Sequence, residues 1–374
     1  MWPVQGSGLA RGIVSCHGRA PHPARRHART WIPPPMRIDA YTHFIPAGIL
    51  AAMDRLGAGQ QGIGKRMRGI PCICDLDARL KMLDAFPDYA QIIAYSSPPM
   101  EDVVGPEKTE EFCRIINDGL FDIVSRHRDR FPGFVAQVSL ANVEGAVREA
   151  RRAIKDLDAC GVQIYTNVQG KPIDLPEFEP FWDAVEQLDK PVWIHPARRA
   201  DFPDYQTENK SLYEIWWTFG WSYETAAMMA RLVFSKVLDR HPRLKPIVHH
   251  FGGIVPMLEG RIGPGWDLIG TRTSDADYAS LKASLMKRPL DYFRESFYPD
   301  TAVFSSKIGT QAGLAFYPKE NILFATDCPF DPEKGPGFIR DTQAILDSLD
   351  LPKETLDLIY FGNIQRITGK TLVK

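Results

Sequence analysis

Apolar positions along this chain fall into short runs that alternate with helical patterns. Residues 37–43 alternate as a strand, which Pro46 ends because proline cannot donate to a ladder. Residues 89–95 predict a second strand running into Ser96-Ser97-Pro98-Pro99. A helix is expected over 110–128, with Phe112, Ile116, Leu120 and Ile123 on one face, then a strand over 133–140. Residues 143–159 place Val147, Ala150, Ile154 and Leu157 together on a helix, with Gly161 as its cap. Further strands are expected at 162–165, 191–194, 245–249, 296–301 and 322–325, with helices at 179–188 and 225–238. Eight strands alternating with helices predict a parallel sheet, and in a chain of this length a (β/α)8 TIM barrel. An open doubly wound sheet would need a glycine-rich phosphate loop after the first strand, and none is there. Residues 47–88 break the rhythm. Their glycines Gly57, Gly59, Gly62, Gly64 and Gly69 predict a lid insertion after strand 1, over the mouth of a site.

Composition sets the domain limits. Residues 1–35 hold five arginines (Arg11, Arg19, Arg25, Arg26, Arg29), no acid and the run Pro33-Pro34-Pro35. They read as a disordered or misannotated extension, and Met36 begins a single domain over 36–374. Without those five arginines the formal charge falls from −1 to −6, which argues against a nucleic-acid partner. No segment is apolar enough for a membrane span. The six cysteines are scattered and none forms a CxxC pair, so reduced thiols in the cytoplasm are expected. The sequence permits a homo-oligomer.

In such a barrel the reacting groups stand at the C-terminal ends of the strands. There the chain places Tyr41 and His43, which share a face because they are two apart in a strand, then His195, His249, His250 and Asp327. Of nine histidines, three lie in the leader, and His127 and His241 sit at Arg-flanked helix ends, where capping or solvation accounts for them. The remaining four all fall at strand ends. Imidazoles with one carboxylate suit a single divalent metal, zinc first and manganese second, with a position left open for water or substrate. Asp327 beside such an ion stays ionised unless a proton is delivered to it, so it can serve as a proton carrier.

The chain resembles the amidohydrolase superfamily, in the subgroup of aminocarboxymuconate semialdehyde decarboxylase and the non-oxidative aromatic acid decarboxylases. The resemblance rests on Asp39-Ala40-Tyr41-Thr42-His43, Trp193-Ile194-His195-Pro196, Gly220-Trp221-Ser222-Tyr223-Glu224-Thr225 and Arg240-His241-Pro242. It continues through His250-Phe251-Gly252-Gly253, Gly260-Arg261-Ile262, Thr326-Asp327-Cys328-Pro329-Phe330 and Gly362-Asn363. It implies metal ligation by His43, His195 and Asp327, with His250 activating water or handling the proton, and Glu224 and His249 as partners that orient the ligands. Relatives carry His or Glu where Tyr41 stands. A phenol binds zinc poorly near neutral pH, because it must first lose a proton of pKa about 10. Three states follow for this position: a three-ligand site, a tyrosinate ligand, or a site without metal.

Arg198 and Arg199 are candidates for gripping a substrate carboxylate, against solvated surface arginines. Trp216, Trp217, Phe219, Trp221 and Tyr223 are dense enough for an aromatic wall, against ordinary packing. The first functional expectation is a metal-dependent carboxy-lyase acting on a small aromatic or unsaturated carboxylic acid. The second is a metal-dependent hydrolase of a lactone, amide or ester, and the third a catalytically silent barrel that binds a small acid. Gln163, Tyr165 and Asn167 stand where two-metal amidohydrolases carry a lysine, which argues against that class.

Overall fold

Buried side chains from Ile38 to His43 cover both faces of the first strand, β1 (Arg37–His43), as expected of a strand enclosed on two sides. The computed structural model describes residues 36–57, 63–272 and 276–372. The extension over 1–35 and part of the glycine-rich segment lie outside the described residues. Six further strands follow: β2 (Tyr89–Ala94), β3 (Gly133–Gln137), β4 (Val162–Tyr165), β5 (Val192–His195), β6 (Pro246–Val248) and β7 (Tyr298–Pro299). They pair in chain order into one sheet of seven parallel strands. Helices pack their apolar stripes against it. In Pro106–Arg126, for instance, Phe112, Ile116, Leu120 and Ile123 are buried, each worth about 1.5–3 kcal/mol relative to exposure.

The expected eighth strand forms only one parallel bridge, between Leu323 and Asp300. Its ladder is cut short because the Phe324 N–H donates to the Ile359 carbonyl rather than to a neighbouring strand. The segment still reaches both edges of the sheet. Leu323 N–H donates to Pro299 O (2.9 Å), and Ala40 N–H of β1 donates to Phe324 O (2.8 Å). In a flat sheet six spacings of about 4.8 Å would hold β1 and β7 roughly 29 Å apart, so the sheet is curled. Asp39 reinforces this seam: its carboxylate accepts from the Thr326 and Tyr89 hydroxyls, both at 2.5 Å. Burial pushes its pKa up to about 7, against the pull of those hydrogen bonds.

Two local expectations change. Helix Val143–Lys155 ends well before Gly161, which does not cap it. Gly161 instead allows β4 to approach β5: a Cβ there would lie 2.2 Å from Pro191 O and 2.7 Å from the Trp193 ring. The segment after β1 is largely helical, with Ala47–Arg55, Ile63–Arg68 and Leu76–Leu83 separated by a short turn at Pro71–Ile73. Met53, Met67, Ile73 and Leu83 bury it against the core, while Gly57 and Gly64 face a cavity beside the strand ends. Among the described residues no helix is long and apolar enough to cross a membrane, and Cys72, Cys74, Cys113, Cys160 and Cys328 are unpaired.

Candidate metal centre and active site

The strand ends bring His43, His195, His249, His250 and Asp327 into one buried cluster. Tyr41 and His43 share a face, their rings 5.0 Å apart. Three of the imidazoles are pinned through Nδ1. His43 faces the Tyr95 carbonyl at 3.3 Å, His195 the Pro196 carbonyl at 2.8 Å and His249 the Asp300 carboxylate at 2.6 Å. A carbonyl oxygen only accepts, so in His43 and His195 the proton sits on Nδ1 and the Nε2 lone pair faces inward. His43 Nε2 lies 3.1 Å from Asp327 Oδ1 without hydrogen-bond alignment, and has no other partner. A buried acceptor aimed at a carboxylate oxygen, with no proton between them, fits a divalent cation.

His249 and His250 are sequence neighbours, yet their rings stack 3.7 Å apart and both face the cluster. In a continuous strand they would point to opposite sides. The left-handed backbone at His250 (φ +57°) and Phe251 (φ +51°) turns the second ring back toward the first. Asp300, at the end of β7, holds this turn: its Oδ1 accepts from the His250 N–H at 3.0 Å while Oδ2 takes the His249 ring. Sequence reasoning missed Asp300, although a charged residue directly after a buried strand, in Tyr298-Pro299-Asp300, was the available signal.

Charge is tightly coupled here. Burial opposes a charged His249, but Asp300 and Asp327 outweigh it and push the imidazole up to about 9. Burial, aided by His43 and His249, holds His195 well below the ordinary imidazole range. Burial would raise Asp327, yet the imidazoles of His249, His250 and His43 crowded around it hold it well below the usual carboxylate range. Tyr41 is fully buried and its hydroxyl donates to Gln163 Oε1 at 2.7 Å. Burial, with Asp300 and Asp327 nearby, raises that phenol well above its ordinary value, which disfavours a tyrosinate.

Outside the cluster lies a cavity of about 510 Å³, lined by Ser97, Tyr165, Arg198, Arg199, Trp216 and Trp221. A smaller chamber of about 20 Å³ touches His195, Asp327, Arg66, Trp217 and Phe330. Ser97 and Trp221 border both spaces, and Trp221 sets its edge on His195 at 5.4 Å. Phe219 and Tyr223 are exposed and take no part in this wall. Arg198 is largely buried between Glu224 (3.4 Å) and Asp204 (3.7 Å), so Glu224 steadies Arg198 rather than a histidine of the cluster. Arg199 pairs with Asp201 and Asp102 at the surface. His241 is buried at the C-cap of helix Val237–Arg240, its Nε2 2.9 Å from Glu179, so capping and not solvation accounts for it.

The amidohydrolase family model matches residues 38–369. The chain belongs to the amidohydrolase family. Among its relatives is gamma-resorcylate decarboxylase of Rhizobium radiobacter, 31% identical over 267 residues, covering 68% of this chain and 77% of that protein. Another is 2-amino-3-carboxymuconate-6-semialdehyde decarboxylase of Dictyostelium discoideum, 27% identical over 62% of this chain and 67% of the relative. The fold is shared with dihydroxybenzoic acid decarboxylase from Polaromonas sp. JS666, solved with manganese and the inhibitor 2-nitroresorcinol. That structure is 24% identical with a TM-score of 0.71, over 90% of this chain and 97% of the other.

Proposed function

We propose that this family member is a metal-dependent carboxy-lyase that removes carbon dioxide, without an oxidant, from a small aromatic or unsaturated carboxylic acid. The observation that carries the reading is the buried His43–Asp327 contact, whose unpartnered Nε2 suits a cation, at the strand ends of a chain related to decarboxylases. In this reading the sheet is a closed (β/α)8 barrel, supported by the two-sided backbone bonding of residues 323–324. Residues 36–374 are its single domain, and the segment after β1 is its lid.

His43, His195 and Asp327 are the proposed ligands of one divalent ion. Manganese is favoured by the Polaromonas neighbour, and zinc suits the imidazoles equally well. When bound, the ion would hold the substrate's carboxylate or adjacent hydroxyl and draw off developing charge. The carbon that loses carbon dioxide must take up a proton. His250 is the proposed carrier, since its buried Nε2, 3.9 Å from Asp327 Oδ2, has no hydrogen-bond partner and so is free to hold a proton for the reacting carbon. Trp216 and Trp221 line the cavity as aromatic surfaces for a ring, and Arg198 offers a largely buried positive charge there for a carboxylate.

Ligands and proton carriers fail differently, and that separates the roles. His195→Ala and Asp327→Ala should each lose bound metal, whereas His250→Gln should keep full metal content and lose turnover of hydroxybenzoates by about 100-fold or more. Equal metal content in all three variants would refute the assignment.

A further inference from the structure

Tyr41 stands where the family resemblance puts a metal ligand, and its hydroxyl is engaged elsewhere. The Tyr41 hydroxyl proton goes to Gln163 Oε1. Gln163 in turn spends its amide on the Tyr95 carbonyl (3.0 Å) and Gln137 Oε1 (2.7 Å). Tyr41 is thereby turned away as a donor, and its ring packs 4.5 Å from that of His249. His249 stands at the end of β6, which pairs with β5 and β7. One ring nitrogen each from His249, His43 and His195 lie within 4.8 Å of one another. Donors at 2.0–2.1 Å from a tetrahedral ion stand about 3.3 Å apart. The distances from Asp327 Oδ1 to His43 Nε2 (3.1 Å) and to His249 Nε2 (3.4 Å) are edges of that size.

We propose that His249 is a metal ligand in this chain, taking the place that Tyr41 vacates, and that Asp300 is the carboxylate that fixes its ring. The inference rests on the metal-site reading above and deepens it, since it moves His249 from a supporting neighbour into the coordination set. Asp300 meets the requirement for such a partner: it is fully buried and 2.6 Å from His249 Nδ1, leaving Nε2 aimed at the ion. It also fixes the left-handed turn at His250, so one carboxylate sets the ring of the ligand and the backbone of the proton carrier. His249 and His250 then divide their work by geometry. His249 belongs to both possible three-residue ligand groups, with His43 and His195 and with His250 and Asp327, whereas His250 belongs only to the second and lies 3.9 Å from Asp327 Oδ2.

X-ray absorption on the zinc-loaded wild-type protein counts imidazoles without any substitution. Three imidazoles are expected. Two would overturn the role of His249 while leaving the metal site itself intact, and no bound zinc would overturn both. Zinc affinity by chelator competition gives a second route. His249→Gln should weaken binding on the order of 100-fold and Asp300→Asn roughly 10- to 100-fold, with His250→Gln within about threefold of wild type. A His249→Gln protein that holds zinc like wild type, while His195→Ala does not, contradicts the proposal alone.

Discussion

Tyr41 shows how one side chain resets a site. A phenol there donates its proton sideways to Gln163, and in the proposed site coordination falls to its neighbours. Tyr41→Phe should therefore keep metal affinity within about threefold of wild type. It should cost about 1–3 kcal/mol of stability, because Gln163 Oε1 is left buried without its donor. Metal titration beside urea denaturation checks both halves, and a Phe variant stripped of most of its metal would restore the phenol as a ligand. That Tyr41 shares a face with His43 was legible from the period of a strand. That His249 and His250 both face the cluster was not, because a left-handed residue at His250 obeys no strand period. Nothing in the composition of the pair announces that turn.

At the level of elements, the cluster depends on a helix that carries none of its chemistry. Arg79, on helix Leu76–Leu83, is fully buried. Its Nε donates to Cys72 O and Nη1 to Gln91 Oε1, both at 2.7 Å, while Nη2 reaches the carbonyl of His43 itself. It ties the segment after β1 to the end of that strand. Arg79→Met should lose roughly 3 kcal/mol or more, since charged donors to several buried acceptors disappear at once. It should also weaken metal binding through His43. Denaturation midpoints test the first effect, and a variant as stable as wild type would show that solvent reaches those carbonyls. In the sequence Arg79 reads as one more charge in Asp77-Ala78-Arg79-Leu80-Lys81, and only the tertiary fold makes it internal. The same holds for Gly161, which looked like a helix cap and proved to be a point of close approach between strands.

For the whole molecule, the rhythm of apolar runs was enough to place seven strands in their order, because each buried run sits between an amphipathic helix and a turn. The eighth was legible as a run but not as a ladder, since the competing bond from Phe324 to Ile359 comes from residues far along the chain. The site was readable as a set of strand-end residues. Its division into metal-facing and substrate-facing groups needed distances. What the cluster does as a unit is the central claim, and carbon dioxide release from a panel of hydroxybenzoates tests it most directly. With manganese-loaded protein, at least one acid bearing a hydroxyl beside its carboxylate should yield carbon dioxide and the corresponding phenol in equal amounts, and chelation should abolish the yield. A metal-loaded protein that leaves every such acid intact while hydrolysing lactones, esters or amides would contradict the account.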